Sequence, residues 1–329
     1  LAELKGKAAT IPNQGILINT LVLQEAKDSS EVEAIITTHD ELYQSRLSET
    51  ANQSVAAKEV ERYSHALNVS FKTVRDVGLI RTHDIKSINA VLEGTETGYR
   101  KQAGTALRND QTGEVVYTPP QDPAEVETLM DNLVSYLNDD ALSENDPLVK
   151  MAIMHHQFES IHPFYDGNGR TGRILNILYL VNQGLLDIPV LYLSRFVVQN
   201  KSDYYQLLQE VRDTGQWQNW LLFMLEGIAK TAQATLATVD GIARLIMQTK
   251  HSMRDALPKV YSQELLNNLF RHPYTKIEFV VDEVQVTRKT ASNYLQQLAA
   301  AGFLREHKVG RTKYFINDPL YALLMGVEK

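Results

Sequence analysis

The chain has 329 residues, of which 43% are hydrophobic and 22% charged, and its net charge at pH 7 is −7. This composition is that of a soluble protein with two or three domains, and the acidic balance argues against nucleic-acid binding by the protein as a whole. There is no cysteine, no apolar run long enough to cross a bilayer and no leader-like segment, so we expect a cytoplasmic protein without disulfides, thiolate metal sites or membrane association.

The first 94 residues are predicted to form a helical region. Apolar residues recur at near-helical spacing in three stretches, the first of which runs from Ser30 to about residue 48. Ser30 and Glu33 have the spacing of a capping box, a pair of side chains that begins many helices. We therefore expect a helix over about 29–48.

Residues 104–118 are predicted to form a β-hairpin. Turn-forming residues at 109–113 separate two short segments, and Val115, Val116 and Tyr117 favour a strand. By itself, such a hairpin is as consistent with an ornament at the edge of the fold as with a functional element.

Two further helices are predicted after the hairpin. Asp122 can cap the first of them, and Pro123 suits its first turn. The second helix is expected over 147–161. The region 95–230 would then form one helical core.

The segment 162–173 combines residue types that bind phosphate groups and transfer them. His162 can accept a proton near neutral pH, and Asp166 offers a hard oxygen ligand to magnesium. A glycine-flanked turn lets backbone N–H groups approach a phosphate. Arg170 and Arg173 would share one face of a helix near its N-terminus, where anions are favoured. Each piece alone is usually structural, but together they predict a polyphosphate site.

At every fixed position this segment is similar to the signature of the Fic (filamentation-induced-by-cAMP) family, His-x-Phe-x-(Asp/Glu)-Gly-Asn-Gly-Arg-x-x-Arg. The resemblance implies a mainly α-helical catalytic core with a β-hairpin flap. It also implies transfer of AMP from ATP to a Ser, Thr or Tyr hydroxyl of a target protein, with Mg²⁺ bound and pyrophosphate released.

The resemblance further implies a role for each signature residue. His162 would be the general base, and Asp166 would hold the magnesium ion that bridges the α- and β-phosphates. Arg170 would contact the β-phosphate and Arg173 the γ-phosphate. The residues implied to bind ATP, the first three of which would form the anion hole, are Gly167, Asn168, Gly169, Arg170, Thr171, Gly172 and Arg173.

The resemblance also gives the hairpin a function. In the Fic family a flap at a comparable distance before the signature pairs with the backbone of the target, which fixes a hydroxyl in register by strand addition. The residues that would border both the nucleotide and the target are Glu114, Val115, Val116 and Tyr117.

A second motif lies near the N-terminus. Ser29-x-x-x-Glu33 resembles the Ser/Thr-x-x-x-Glu-Gly/Asn motif of the inhibitory helix that many Fic proteins carry, although Ala34 stands where Gly or Asn is expected. The resemblance implies that Glu33 binds Arg173 in the place of the γ-phosphate and so inhibits the enzyme. The capping-box interpretation of the same residues is the structural alternative.

Candidates for adenine binding follow the signature. The resemblance implies that Tyr204, Tyr205 and Asn200 contact the base, which needs a flat apolar wall and a hydrogen-bonding group. Aromatic pairs at helical spacing are more often core residues, so this alternative stays open. Trp217 and Trp220 are expected to pack the domain.

A connecting helix over 231–258 and a winged helix-turn-helix domain over 259–329 are predicted to complete the chain. The segment 287–298 has the cap and apolar stripe of a recognition helix, and 309–312 would be the turn of the wing. The domain has a net charge of +3, against −10 for the rest of the chain. The possible DNA contacts are Arg288, Lys289, Asn293, Arg311 and Lys313.

Two classes of function remain open from the sequence. The first is an adenylyltransferase whose winged helix recruits a target or a second subunit; a homodimer is expected from the resemblance. The second is an ATP-sensing regulator that binds DNA, which the small basic excess does not favour. An intact His162 favours the enzyme, because sensing a nucleotide requires no base. Transfer of another phosphate-containing group, or removal of AMP, is also open.

Overall fold

The computed structural model describes residues 1–45, 54–96, 98–109, 112–309 and 312–326, and it is mainly helical, as predicted. The helices before the signature are α1 (Ala2–Ala9), α2 (Gln14–Val32), α3 (His39–Ser45), α4 (Val55–Val77), α5 (Thr82–Glu93), α6 (Pro123–Asn138) and α7 (Pro147–Ile161). Those that follow are α8 (Asn168–Asn182), α9 (Leu193–Gln199), α10 (Lys201–Thr214), α11 (Gln218–Ala256), α12 (Gln263–Arg271), α13 (Ile277–Val284), α14 (Arg288–Ala300) and α15 (Asp318–Met325). Within the described ranges, none of these helices combines the length and apolarity needed to span a membrane.

The helix that carries Ser29 lies earlier in the chain than predicted. It begins after Asn13, whose side chain accepts a hydrogen bond from Gly15 N at 3.0 Å, and it ends at Val32. The capping-box interpretation is therefore wrong, because Ser30 lies at the end of a helix and its hydroxyl donates to Ala26 O at 2.8 Å. The expected helix over 29–48 is wrong in its bounds for the same reason, and residues 46–48 lie outside the described residues.

α2 ends in a left-handed turn that explains why it stops where it does. Ile35 N donates to Ser30 O and Ala34 N donates to Glu31 O, both at 3.0 Å, which is the hydrogen-bond pattern of a Schellman motif. Ala34 has φ 61° at the position where glycine is usual. Glu33 is the last residue before this turn.

The packing of α7 against α8 holds the signature in place. Phe158 of α7 and Leu178 of α8 are fully buried, and Trp220 of α11, also buried, donates to Ala152 O at 2.8 Å. The start of α7 is capped by Asp146, which accepts from Leu148 N at 2.8 Å. Trp220 therefore packs the domain, as expected.

The predicted hairpin is present. Strands β1 (Leu107–Arg108) and β2 (Val115–Tyr117) pair in antiparallel register, with Leu107 opposite Tyr117 and Arg108 opposite Val115. The register shifts between these two pairs, as at a bulge. Turn residues 110 and 111 lie outside the described residues.

The chain divides into two compact units that differ from the predicted succession of segments. One unit comprises residues 1–2, 22–36 and 58–232, and the other comprises residues 3–21, 37–57 and 233–329. The expected connecting helix over 231–258 is part of the longer α11, because no helix-stopping signal interrupts residues 218–256.

Helix α14 lies close to the helix predicted over 287–298, and residues 310 and 311 of the predicted turn lie outside the described residues. Thr287 caps α14 by accepting from Thr290 N at 3.2 Å. Strands β3 (Tyr274–Thr275), β4 (Arg305–Val309) and β5 (Thr312–Ile316) form an antiparallel sheet in the order β3-β5-β4. The winged helix-turn-helix assignment itself stays a prediction.

Candidate active site

A short loop, residues 162–167, joins α7 to α8; we refer to it as the base loop. His162 ends α7 in a left-handed conformation with φ 49°, and its N–H donates to Phe158 O at 2.9 Å. Gly167, with φ 73°, precedes α8. A non-glycine residue with positive φ is energetically unfavourable and is often found at functional sites.

Asn168 braces this loop from inside. Its Oδ1 accepts from Phe164 N and its Nδ2 donates to Phe164 O, both at 2.9 Å. Asn168 is buried, so its amide is committed to the loop backbone. The implied role of its side chain in an anion hole stays a prediction, whereas its bracing role was not foreseen.

The surroundings of His162 set the protonation state of its ring. Burial lowers the pKa of its imidazole to about 4, and the charges of Arg100 and Arg212 act in the same direction. The backbone of Glu159 and the carboxylate of Glu33 oppose this shift without reversing it. The ring is therefore neutral at pH 7 and can accept a proton.

The ring borders a cavity of about 1260 Å³ within the first unit. Such a volume exceeds the ~300–1,000 Å³ of most small-molecule sites, which leaves space for a nucleotide and part of a second molecule. The predicted site residues on its wall are Glu33, Val116, His162, Gly169, Arg173, Tyr204 and Tyr205.

Arg173 is a buried cation of the cavity wall. Its guanidinium is 3% exposed and donates to Ser29 Oγ at 2.8 Å, to Ser29 O at 2.8 Å and to Glu33 Oε1 at 2.7 Å. Glu33 thus contacts Arg173 as the motif implied, and the contact of Ser29 with Arg173 was not predicted. About a third of the Glu33 side chain, 34%, remains exposed.

Glu33 is bound as an anion. Burial by itself would raise the pKa of its carboxyl, but the charge and hydrogen bond of Arg173 outweigh burial and lower the pKa below its ordinary value. A side chain at Gly169 would collide with Glu33 Oε1, so glycine at this position leaves the room that the carboxylate occupies near the N-terminus of α8. An anion at this point is favoured by the helix dipole as well as by Arg173.

Arg170 is engaged elsewhere. It is buried and forms ion pairs with Glu59 and Glu93, each at 2.9 Å. Its guanidinium does not form part of the cavity wall described above. Contact with a β-phosphate therefore stays a prediction for Arg170.

The carboxylate of Asp166 has the chemistry of a magnesium ligand, and Asp166 is not among the residues that line the cavity described above. Its side chain is exposed, and Oδ1 accepts from Gly167 N at 2.7 Å, which leaves Oδ2 for a cation. In the described part of the chain, no three His, Cys, Asp or Glu side chains cluster as metal ligands. Magnesium is commonly held by one or two carboxylates together with phosphates and water, so a single Asp suits this mode.

Thr171 and Gly172 take part in the packing of α8 against its neighbours. Thr171 is fully buried, and its Oγ1 lies 3.4 Å from Asn89 Nδ2. A Cβ at Gly172 would lie 2.6 Å from Glu159 Oε1, so glycine lets α7 and α8 approach closely here. Both residues serve packing in this structure.

The four flap residues have different environments. Val115 and Val116 are about half exposed, and Val116 faces the cavity. Glu114 lies at the exposed turn beside Thr112. Tyr117 turns inward, where its hydroxyl donates to the backbone of α7.

The adenine candidates separate in a similar way. Tyr204 is buried with its hydroxyl 2.8 Å from His155 Nε2, and Tyr205 is half exposed. Both line the cavity. The structure does not bring Asn200 to this wall; its amide donates to Phe196 O at 2.9 Å and joins α9 to α10.

Several polar residues of the wall were missed by sequence reasoning. Glu159 lies one helical turn before His162, and this spacing was the one available signal for it. Burial raises the pKa of the Glu159 carboxyl to about 7. Arg108, Lys201 and Arg212 also line the cavity. They carry no motif: Arg108 lies in β1, and Lys201 and Arg212 lie in α10.

The residues proposed to contact DNA lie in the other unit. Arg288 forms an ion pair with Glu278, and Lys313 forms one with Glu306. Lys289 and Asn293 are exposed. Arg311 lies outside the described residues.

Three family models match the chain. The model "Fic/DOC family N-terminal" matches residues 1–72, "Fic/DOC family" matches 79–180, and "Protein adenylyltransferase SoFic-like, C-terminal domain" matches 245–320. The matches follow one another along the chain and together cover most of it.

Curated relatives carry matching names. Protein adenylyltransferase fic-1 of Caenorhabditis elegans is 30% identical over 170 residues, which are 50% of this chain and 30% of that protein. A probable protein adenylyltransferase, aq_aa38 of Aquifex aeolicus, is 28% identical over 200 residues, or 60% of this chain and 57% of that protein. The chain spans about a third of the length of the animal relatives it matches.

Solved structures share the fold. A Fic family protein from Desulfovibrio desulfuricans G20 superposes with a TM-score of 0.56 at 20% identity, over 96% of this chain and 94% of that one. Fic-1 from C. elegans superposes with a TM-score of 0.55 at 20% identity, over 74% of this chain and 70% of that one. These identities establish a common fold and no more.

Proposed function

Because this chain belongs to the Fic family, we propose that it transfers AMP from ATP to a hydroxyl group of a target protein and that Glu33 restrains this activity. The observation that carries the proposal is the neutral, partly buried imidazole of His162, which faces a cavity shared with Arg173 and with Gly169 near the start of α8. A site that only binds a nucleotide needs the phosphate ligands but has no use for a base.

The proposed reaction would use residues around the cavity. The hydroxyl oxygen of the target attacks the α-phosphorus of ATP, and a new P–O bond forms as the bond to the β-phosphate bridging oxygen breaks. His162 accepts the hydroxyl proton, and pyrophosphate leaves. The backbone N–H groups at the start of α8 and the guanidinium of Arg173 stabilise the phosphate charge, so that positioning and electrostatics supply most of the rate.

Asp166 would hold the magnesium ion of the ATP complex. The ion, when bound, supplies charge neutralisation between the phosphates. Asp166 is suited to this role by its exposed carboxylate, one oxygen of which is already oriented by Gly167 N at 2.7 Å.

Inhibition would arise from competition for one guanidinium. The Glu33 carboxylate lies 2.7 Å from Arg173 Nη2 and occupies space beside Gly169 that a γ-phosphate would need. Two anions cannot share that position, so ATP binds productively only when Glu33 has moved away.

The flap would hold the target by strand addition. β2 is short and half exposed at Val115 and Val116, so its edge is accessible to an extended segment. Backbone pairing would tolerate many target sequences while it keeps the modified hydroxyl close to His162.

The C-terminal domain over 259–329 would recruit partners. Two of its basic candidates for DNA contact, Arg288 and Lys313, already form ion pairs with Glu278 and Glu306. This pairing reduces the free positive charge that DNA binding would use.

The proposal is tested by mass spectrometry of intact protein. The Glu33→Gly variant is incubated with ATP and Mg²⁺, alone and with a cell extract as the source of targets, and the mass added to protein is measured. We expect the mass of one or more AMP groups, and no addition with Glu33→Gly/His162→Ala. Addition of a phosphate mass, or of nothing under either condition, would contradict the proposed activity.

A further inference from the structure

Arg100 is a buried arginine that the signature does not include. It is 1% exposed, and it lies in the segment that leads into the flap. All of its side-chain hydrogen bonds to described residues go to backbone carbonyl oxygens. Arginine is almost never fully buried without a specific set of partners, so this set of acceptors requires an explanation.

Most of these acceptors belong to the end of α7 and the base loop. Arg100 Nε donates to His162 O at 2.9 Å, and Nη2 donates to Ile161 O at 3.3 Å. The backbone N–H of Arg100 donates to Pro163 O at 2.8 Å. One residue thus binds three consecutive carbonyls around the proposed base.

The remaining acceptor belongs to the other end of the flap. Arg100 Nη2 also donates to Pro120 O, shortly after β2. Arg100 precedes β1 and Pro120 follows β2, so the guanidinium joins both ends of the hairpin segment to the base loop. The contact spans 62 residues of sequence between Arg100 and His162.

Two neighbours complete the same arrangement. Arg212 Nη2 donates to Glu159 O at 3.3 Å, and its guanidinium lies 4.0 Å from the ring centroid of Tyr117. The hydroxyl of Tyr117 donates to Ser160 O at 3.1 Å. The last carbonyls of a helix have no partner within the helix, and here the flap and α10 supply those partners.

We propose that Arg100 is a positioning residue that fixes the backbone of His162 relative to the flap, so that the base and the bound target hydroxyl share one rigid frame. The inference rests on the proposed AMP transfer. In this proposal, the buried Arg100 side chain fixes the distance and orientation between the base loop and the flap.

A positioning role differs from a general structural role in what it leaves intact. Arg100 lies outside the described cavity wall, whereas the phosphate-binding groups stand at the start of α8. Its loss should therefore slow the chemical step without weakening ATP binding. A displacement of about 1 Å at a reacting group can lower a rate by about a hundredfold.

The test compares three variants in the Glu33→Gly background, so that inhibition does not obscure the result. Arg100→Gln removes the charge and shortens the side chain, and Arg100→Lys keeps the charge but cannot reach the same carbonyls together. Arg271→Gln is the control for the loss of an arginine far from the base loop in sequence. Arg271 lies in α12 and forms an ion pair with Glu283 of the next helix, α13. The measurements are kcat for AMP transfer, the Kd for ATP and the melting temperature.

We expect kcat to fall about tenfold to a hundredfold in both Arg100 variants, with the Kd for ATP within about twofold of the parent. The acid limb of the pH–rate profile should move to higher pH in Arg100→Gln only. Burial, Arg100 and Arg212 lower the pKa of His162, and the backbone of Glu159 raises it; the charge of Glu33, which also raises it, is absent from this background. Lysine preserves the charge of Arg100.

Several outcomes would overturn the proposal: an unchanged kcat, a parallel loss of ATP affinity, or failure of both Arg100 variants to fold, which would make Arg100 a residue of stability alone. If only Arg100→Gln fails to fold, Arg100→Lys decides the result. If the Glu33→Gly parent itself transfers no AMP, the proposed function fails instead, and the two failures are distinguishable.

Discussion

The base loop and the segment that carries Glu33 differ in how firmly they are held. The base loop has its carbonyls bound by Arg100 and its interior braced by Asn168, and Phe164 is buried. The Glu33 segment, residues 33–36, follows the end of α2.

In the Glu33 segment, a third of the Glu33 side chain is exposed, Ala34 is exposed in a left-handed turn, and Ile36 is 75% exposed. Its main tie to the core is the ion pair with Arg173.

The difference teaches that catalysis and restraint place opposite demands on local stability. A base must stay within a few tenths of an ångström of its working position, whereas an inhibitory group must be able to leave. Movement of residues 33–36 would break one ion pair and the backbone hydrogen bonds of the turn that ends α2, and the exposed groups of this segment could then bond to water. Movement of the base loop would leave several buried carbonyls without partners.

Asn168→Ala should have the largest effect, because it removes the side chain that braces the base loop. It removes two hydrogen bonds from the Phe164 backbone and leaves both groups buried. We expect AMP transfer in the Glu33→Gly background to fall about a hundredfold, measured as the initial rate of AMP incorporation. Asn219→Ala, which removes an exposed hydrogen bond to Glu210, should leave the rate unchanged. Equal rates for the two variants would show that the loop needs no such brace.

Glu33→Gly removes the inhibitory carboxylate and should raise the rate of AMP transfer by about tenfold or more. A loss of about 1.4 kcal/mol in the stability of the inhibited state raises the active population about tenfold. Glu31→Gly is the matched control. It removes the same charge from the same helix end, where Glu31 pairs with Lys27 at 2.8 Å. The initial rate of self-modification with labelled ATP measures both. Similar activation by the two variants would mean that helix fraying, and not the contact with Arg173, controls activity.

Ala34→Gly should strengthen inhibition. Alanine in a left-handed conformation is disfavoured by about 1 kcal/mol or more, and glycine is not, so the closed segment should gain about fivefold in population and basal activity should fall by the same factor. The effect should vanish in the Glu33→Gly background. Gln285→Gly relieves a similar conformation in the other unit, with φ 58°, and should raise the melting temperature without changing the rate. A basal rate unchanged by Ala34→Gly would show that the turn persists when Glu33 leaves.

The features that the sequence could predict depend on residues close together in the chain. The signature residues, α6, α7 and α14 were predictable because motif and caps are local: Asp122, Asp146 and Thr287 each bond to a backbone N–H two or three residues away. The contact between Glu33 and Arg173 could be anticipated only through a resemblance between motifs, since the two residues are 140 positions apart.

The remaining features were beyond local patterns. α2 was misplaced because its start at Asn13 lies far from the residues that looked like caps. Arg100 and Arg212 carry no spacing signal, since each acts on backbone atoms more than fifty residues away. Asn168 and Thr171 occupy signature positions, yet their side chains pack within the fold, and a motif cannot separate a phosphate ligand from the brace beside it.

The smallest expected effect concerns Glu159, the second acid near Arg173. Burial raises the pKa of its carboxyl to about 7, and the charge of Glu33 adds to burial while Arg173 opposes it. Between about pH 4.5 and 7 this carboxyl is ionised in the unfolded chain but not in the folded protein. The free energy of unfolding therefore falls as the pH rises through that range. Glu159→Gln stays neutral in both states and should escape this loss.

The melting temperature of Glu159→Gln relative to the parent should therefore be higher at about pH 7.5 than at about pH 5, by roughly 2 °C. Glu125→Gln, which removes an exposed carboxylate from α6, is the control and should shift equally at the two pH values. A Glu159→Gln difference independent of pH would mean that Glu159 is already ionised beside Arg173. Arg173 would then interact with two ionised carboxylates, and its ion pair with Glu33 would hold the Glu33 segment more weakly.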